Sequence, residues 1–99
     1  MQFVIFGKPG KVFEGEPPAD LWEVLEAEWT RSRELYAQGV LRHIWMMEGN
    51  RGVVAVYEAD SLEHMRAINA EYPMVKAGYA NHEIHGLTPY VGFTPERKA

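Results

Sequence analysis

Two stretches of this chain hold side chains able to move protons, Arg42-His43-Ile44-Trp45 and His82-Glu83-Ile84-His85. Both lie in β-rich surroundings, and side chains along a strand alternate between two faces. His43 then shares a face with Leu41, Trp45 and Met47. A neutral imidazole on such an apolar wall is a candidate general base, because it titrates near neutrality. A hydrogen-bonded core histidine is the competing account. Arg42 points to the opposite face, where its planar fork could orient a carboxylate or join an ordinary surface ion pair. The Trp45 indole beside His43 offers a flat surface to a planar unsaturated substrate. In the second stretch Glu83 and His85 share a face as i and i+2, which suits an acid/base pair or, equally, a solvated edge strand. The candidate catalytic residues are therefore His43, Glu83 and His85, with Arg42 and Trp45 as candidate substrate-binding residues.

The same spacing argues against a metal. His82 and His85 are three apart, fall on opposite sides of a strand and cannot ligate one ion, and a zinc site needs three or four convergent ligands. There is no cysteine to act as nucleophile, thiolate ligand or disulfide partner. No glycine-rich phosphate loop, dinucleotide fingerprint, nucleophile elbow or carboxylate cage is present either. Neither a cofactor nor a metal is expected.

Positioning these groups requires a framework, and the apolar pattern supplies one. Phe3 to Phe6 reads as a strand stopped by Gly7, Pro9 and Gly10. Lys8 to Pro18 is rich in Gly, Pro and charge and reads as a loop or flap. From Asp20 to Gln38 the residues Trp22, Leu25, Trp29 and Tyr36 recur at helical steps, and Gly39 ends the helix. Val40 to Met47 and Val53 to Tyr57 are strands joined by the turn-forming run Glu48 to Gly52. Asp60 with Glu63 resembles a capping box opening a second helix through Leu62, Met65, Ile68 and Tyr72 to Pro73. His82 to Leu87 is the last strand, and Thr88 to Ala99, with Pro89 and Pro95, is a tail. Trp22, Trp29, Tyr36 and Tyr72 are explained by core or interface packing. The order β-α-β-β-α-β predicts an α+β, ferredoxin-like plait, an antiparallel sheet with two helices on one face.

Strands one and three are apolar on both faces, yet two helices cover only one. The uncovered face would expose more apolar surface than a soluble monomer tolerates, which predicts a second copy packed there as a homo-oligomer. At 99 residues the chain is expected to be a single domain, 1–99, with a formal charge of −4 that disfavours nucleic acid as a partner. The N-terminal apolar run is too short for a signal peptide or a membrane span, so a cytoplasmic protein acting on a small molecule, with no membrane partner, is expected.

Four segments together resemble a known family. The run RELYAQGVLRHIW from Arg33 to Trp45, then Glu48-Gly49 and VVAVYEADSLEH from Val53 to His64, is similar to muconolactone δ-isomerases, and EIHGL from Glu83 to Leu87 looks like their closing strand. The resemblance implies a dimeric α/β barrel, assembled as dimers or larger rings, and a cofactor-free isomerase of aromatic catabolism that moves a double bond in an unsaturated lactone by acid/base catalysis. It carries Arg42, His43 and Trp45 over as site positions, with Glu83 on the final strand. Met46, Asn50 and Val53 stand where that family is expected to have more basic and polar side chains, so the implied pocket is more apolar. The first loop, Gly7 to Pro18, and the stretch from Pro73 to Glu83 also depart from it. A cofactor-independent oxygenase or cyclase acting on an aromatic or polyketide-like substrate, and a non-catalytic small-molecule-binding oligomer, are the alternatives.

Overall fold

A computed structural model describes residues 1–93. Its elements are β1 (Gln2–Pro9), α1 (Leu21–Ala37), β2 (Leu41–Met46), β3 (Val53–Glu58), α2 (Leu62–Ala70), α3 (Pro73–Lys76) and β4 (Ala80–Leu87), with a single 3-10 turn at Lys11–Glu14. The strands form an antiparallel sheet in the order β2-β3-β1-β4. This is the expected plait, with α3 added after Pro73. Pro95 and its neighbours in the tail lie outside the described residues.

β1 runs through the Gly7 and Pro9 that were expected to stop it. A Cβ at Gly7 would lie 2.9 Å from Val53 Cγ2 and 3.1 Å from the His82 ring, so glycine lets the strands and the imidazole close up. Pro9 sits at the last position of the ladder, opposite Ala80, where a missing N–H costs least. β4 begins at Ala80, two residues before the expected start. α1 has no internal Gly or Pro and ends at Gly39, whose φ of 78° is costly for any residue with a Cβ. The cap of α2 is Ser61 rather than Asp60. Its Oγ accepts the His64 N–H at 3.1 Å, and His64 Nδ1 in turn accepts the Asp60 N–H at 3.0 Å. His64 thus plays the reciprocal part expected of Glu63.

The helices cover one face of the sheet. Phe3, Ile5, Leu41, Ala55 and Tyr57 are buried there against Leu35 of α1, Met65 and Ile68 of α2, and Tyr72. Two expectations about which residues face this core need correction. On α1 the inward stripe is Val24, Leu25, Glu28, Arg31, Ser32 and Leu35, while Trp22 and Tyr36 are 70% and 66% exposed. The inward stripe is turned from the aromatic one, and two of its members, Glu28 and Arg31, are charged. On β2 a bulge between Leu41 and His43 shifts the register: Leu41 pairs with Tyr57, and His43 with Val56. Leu41 therefore joins Ile44 and Met46 on the helix side, while His43 and Trp45 take the other face without it.

Candidate active site

A cavity of about 420 Å³ opens between α1 and the helix-covered face of the sheet. Its walls are mostly apolar: Phe13, Leu25, Trp29, Met46, Val53 and Met74. A volume in this range suits a ring-sized ligand. Three ionisable side chains line it, Glu28 from α1, His82 from β4 and Lys8 from β1, and Asn50 adds a polar group.

The fold specifies how Glu28 and His82 are held. Glu28 Oε1 accepts the Met74 N–H at 2.9 Å, which ties the carboxyl to the first turn of α3. Burial raises the Glu28 carboxyl above its usual range, against the lowering effects of that hydrogen bond and of Arg31. Burial also lowers the His82 imidazole from its ordinary value, so its neutral form is favoured. The Tyr72 ring stands edge-on to His82 with centroids 6.0 Å apart. The Tyr72 hydroxyl lies 2.6 Å from that of Tyr57, and both phenols are raised chiefly by burial. The Arg31 guanidinium sits 5.4 Å from the Tyr72 ring centroid and donates to the Ile68 carbonyl at 2.9 Å. The result is a mostly apolar cavity in which burial raises one carboxyl and lowers one imidazole, favouring the neutral form of each.

The residues singled out in the sequence lie on the other side of the sheet. His43 and Trp45 stack face to face, with centroids 5.3 Å apart and planes 7° apart. Glu83 Oε2 and His85 Nε2 are 3.5 Å apart, and His85 meets Phe6 edge-on at 5.9 Å. The structure thus brings together each pair but not the two pairs. β2 and β4 are opposite edges of the sheet, three strand spacings or about 14 Å apart. Arg42 lies within the β2 bulge and is exposed. His82 and His85 do fall on opposite faces, as alternation required, and among the described residues no cluster of three or more potential ligands could hold a metal.

Glu28 drew no attention in the sequence, and His82 only as half of an impossible metal pair. The available signal was a carboxylate at the second position of the stripe Val24, Glu28, Arg31 and Leu35, where helical period calls for an apolar side chain. Met46, Asn50 and Val53, the positions noted as departures, all line the cavity.

Fold and cavity together define a ferredoxin-like α+β protein with a mostly apolar cavity between one helix and its sheet. The chain belongs to the muconolactone delta-isomerase family, whose sequence pattern matches residues 10–91. None of the curated proteins compared with it matches significantly. Among solved structures it is similar to a muconolactone isomerase, at 21% identity over 92% of each chain with a TM-score of 0.75. It also resembles a 5-chloro-2-hydroxyhydroquinone dehydrochlorinase from Burkholderia phenoliruptrix AC1100, at 16% identity over 89% of this chain and 94% of that one, TM-score 0.62. An antibiotic biosynthesis monooxygenase shares the fold at 15% identity, covering 90% of this chain and all of the other, TM-score 0.51. No helix among the described residues is long and apolar enough to cross a membrane.

Proposed function

We propose that this protein is a cofactor-free isomerase that shifts a proton on an unsaturated ring carbonyl compound, an unsaturated lactone such as muconolactone, inside the cavity under α1. The observation that carries the reading is that Glu28 and His82 line one mostly apolar cavity, each displaced by burial toward its neutral form. His82 removes the proton made acidic by the conjugated carbonyl, and the electron pair moves toward that carbonyl. Glu28 delivers its proton to the other end of the conjugated system. One proton leaves carbon and one returns to it, and transfer from imidazolium to carboxylate resets the pair. Trp29 and Phe13 give the planar ring apolar surfaces to lie against.

A second copy packed on the open sheet face completes the proposal. Val4, Phe6, Val54 and Val56 form its half-buried centre, and Trp45 at its margin is 55% exposed. An apolar sheet face of this kind is stable in water when another sheet covers it. In such an assembly His43, Trp45, Glu83 and His85 belong to the contact between copies or to a chamber enclosed there.

Proton NMR of the purified protein with muconolactone in D₂O tests the activity. Formation of the isomer with deuterium at one defined carbon supports the proton shift. An unchanged spectrum from folded protein rejects that substrate, and the apolar lining contributed by Met46 and Val53 then directs attention to oxygen consumption with hydroquinone or anthrone substrates.

A further inference from the structure

Behind the His82 imidazole stands a polar side chain that does not line the cavity. Asn69, on α2, places Oδ1 2.6 Å from His82 Nδ1. A carboxamide oxygen can only accept a hydrogen bond, so Nδ1 carries the proton and donates. A neutral imidazole has one N–H, which leaves the lone pair on Nε2. That nitrogen lies over Gly7, where a Cβ would come within 3.1 Å of it, and Gly7 is itself part of the cavity wall.

We propose that Asn69 is a positioning residue that locks His82 in its Nδ1–H form and so presents the Nε2 lone pair to the cavity. The lock deepens the reading of His82 as the base and rests on it. In water histidine prefers the opposite tautomer, with the proton on Nε2, and in that form the atom facing the cavity would be a donor unable to accept a substrate proton. The other groups around the ring do not compete for Nδ1. Tyr72 meets it edge-on with its hydroxyl committed to Tyr57, while Glu28 of α1 and Lys8 of β1 belong to the cavity wall. Among the described residues Asn69 is the one side chain hydrogen-bonded to the ring.

The experiment is long-range ¹H–¹⁵N correlation on the intact protein with ¹⁵N-labelled histidine, recorded where the ring is neutral, alongside kinetics. The wild type is expected to show a protonated Nδ1 and an unprotonated Nε2. Asn69→Ala shifts the ratio toward the Nε2–H form and lowers kcat by roughly tenfold to a hundredfold, as removing a partner that orients an imidazole does, with little change in KM. Asn69→Asp keeps the acceptor, restores the Nδ1–H form and moves the His82 titration upward, because an anion there favours imidazolium. Wild type in the Nε2–H form, or an Asn69→Ala spectrum like that of wild type, overturns the lock; if the alanine variant does not fold, the wild-type tautomer and the aspartate titration decide. The tautomer is read without substrate. A locked wild type that turns over nothing would end the proton-shift reading and leave the tautomer assignment standing.

Discussion

The cavity under α1 and the open face of the sheet carry the same kinds of side chain in different surroundings. Each has histidine, carboxylate and tryptophan: Glu28, His82 and Trp29 in one, His43, Trp45, Glu83 and His85 on the other. In the cavity Glu28 and His82 face a shared space, and burial displaces both toward neutral forms. On the open face they sit at opposite edges of the sheet, and the apolar surface between them belongs to valine and phenylalanine. Residue type alone therefore does not mark the chemistry. The proposed acid/base chemistry rests on convergence of the two groups on one cavity.

The largest expected effect separates the two regions directly. His82→Gln should reduce deuterium incorporation by about 10²- to 10⁴-fold, the usual contribution of a positioned acid or base, while His43→Gln should stay within a few-fold of wild type. The reverse result would move the base to the open face.

Glu28→Gln should cost about 10²-fold and change the pH profile. Activity is expected to rise as His82 loses its proton, at a pH below its ordinary 6.5, and to fall as Glu28 loses its own, at a pH above its ordinary 4.5. The glutamine variant should lose the alkaline limb and keep the acid one. Stability should follow the same signs. The fold favours neutral Glu28, so its contribution is full at low pH and fades as pH rises from 4.5 through the raised value. Neutral His82 contributes fully above 6.5 and progressively less as pH falls through the lowered value. The Tm advantage of Glu28→Gln over wild type should accordingly grow with pH across the Glu28 window.

On the open face, Val56→Lys places a charge at the centre of the patch and should convert an oligomer to monomer in sedimentation at micromolar concentration, with loss of any concentration dependence of Tm. A wild type that is already a folded monomer would remove the argument for a covered face. The smallest effect is expected of Gly7→Ala. Its new Cβ meets Val53 Cγ2 at 2.9 Å and the His82 ring at 3.1 Å, for about 1–3 kcal/mol of overpacking strain in urea unfolding. Its loss of turnover should exceed what that destabilisation explains, because the imidazole must move. An alanine variant with full turnover would show that the position of the ring over Gly7 is not required.

Much of the fold was legible because its signals are local. Period-two runs of β-branched residues, Gly39 after a helix and Pro73 after another depend only on near neighbours, and they yielded the element order. Which residues face the helices was not legible at two particular points, for reasons of the same kind. Glu28 and Arg31 interrupt the inward stripe of α1, so the aromatic series Trp22, Trp29 and Tyr36 was the better periodic pattern, although Trp22 and Tyr36 face outward. The β2 bulge after Leu41 reverses alternation within the strand, and a bulge of this kind is set by pairing with β3 rather than by the residues at the kink.

By itself the sequence determined an antiparallel plait, strands apolar on both faces, and the opposite facing of His82 and His85, since each follows from the period of the chain and the chemistry of single residues. The tertiary structure decided that Glu28 and His82, 54 positions apart, line one cavity, that Gly7 makes room for the imidazole, and that Asn69 holds its Nδ1. The physical reason is that burial and hydrogen-bond partnership are properties of where distant segments meet, and only the packed sheet and helices bring these segments together.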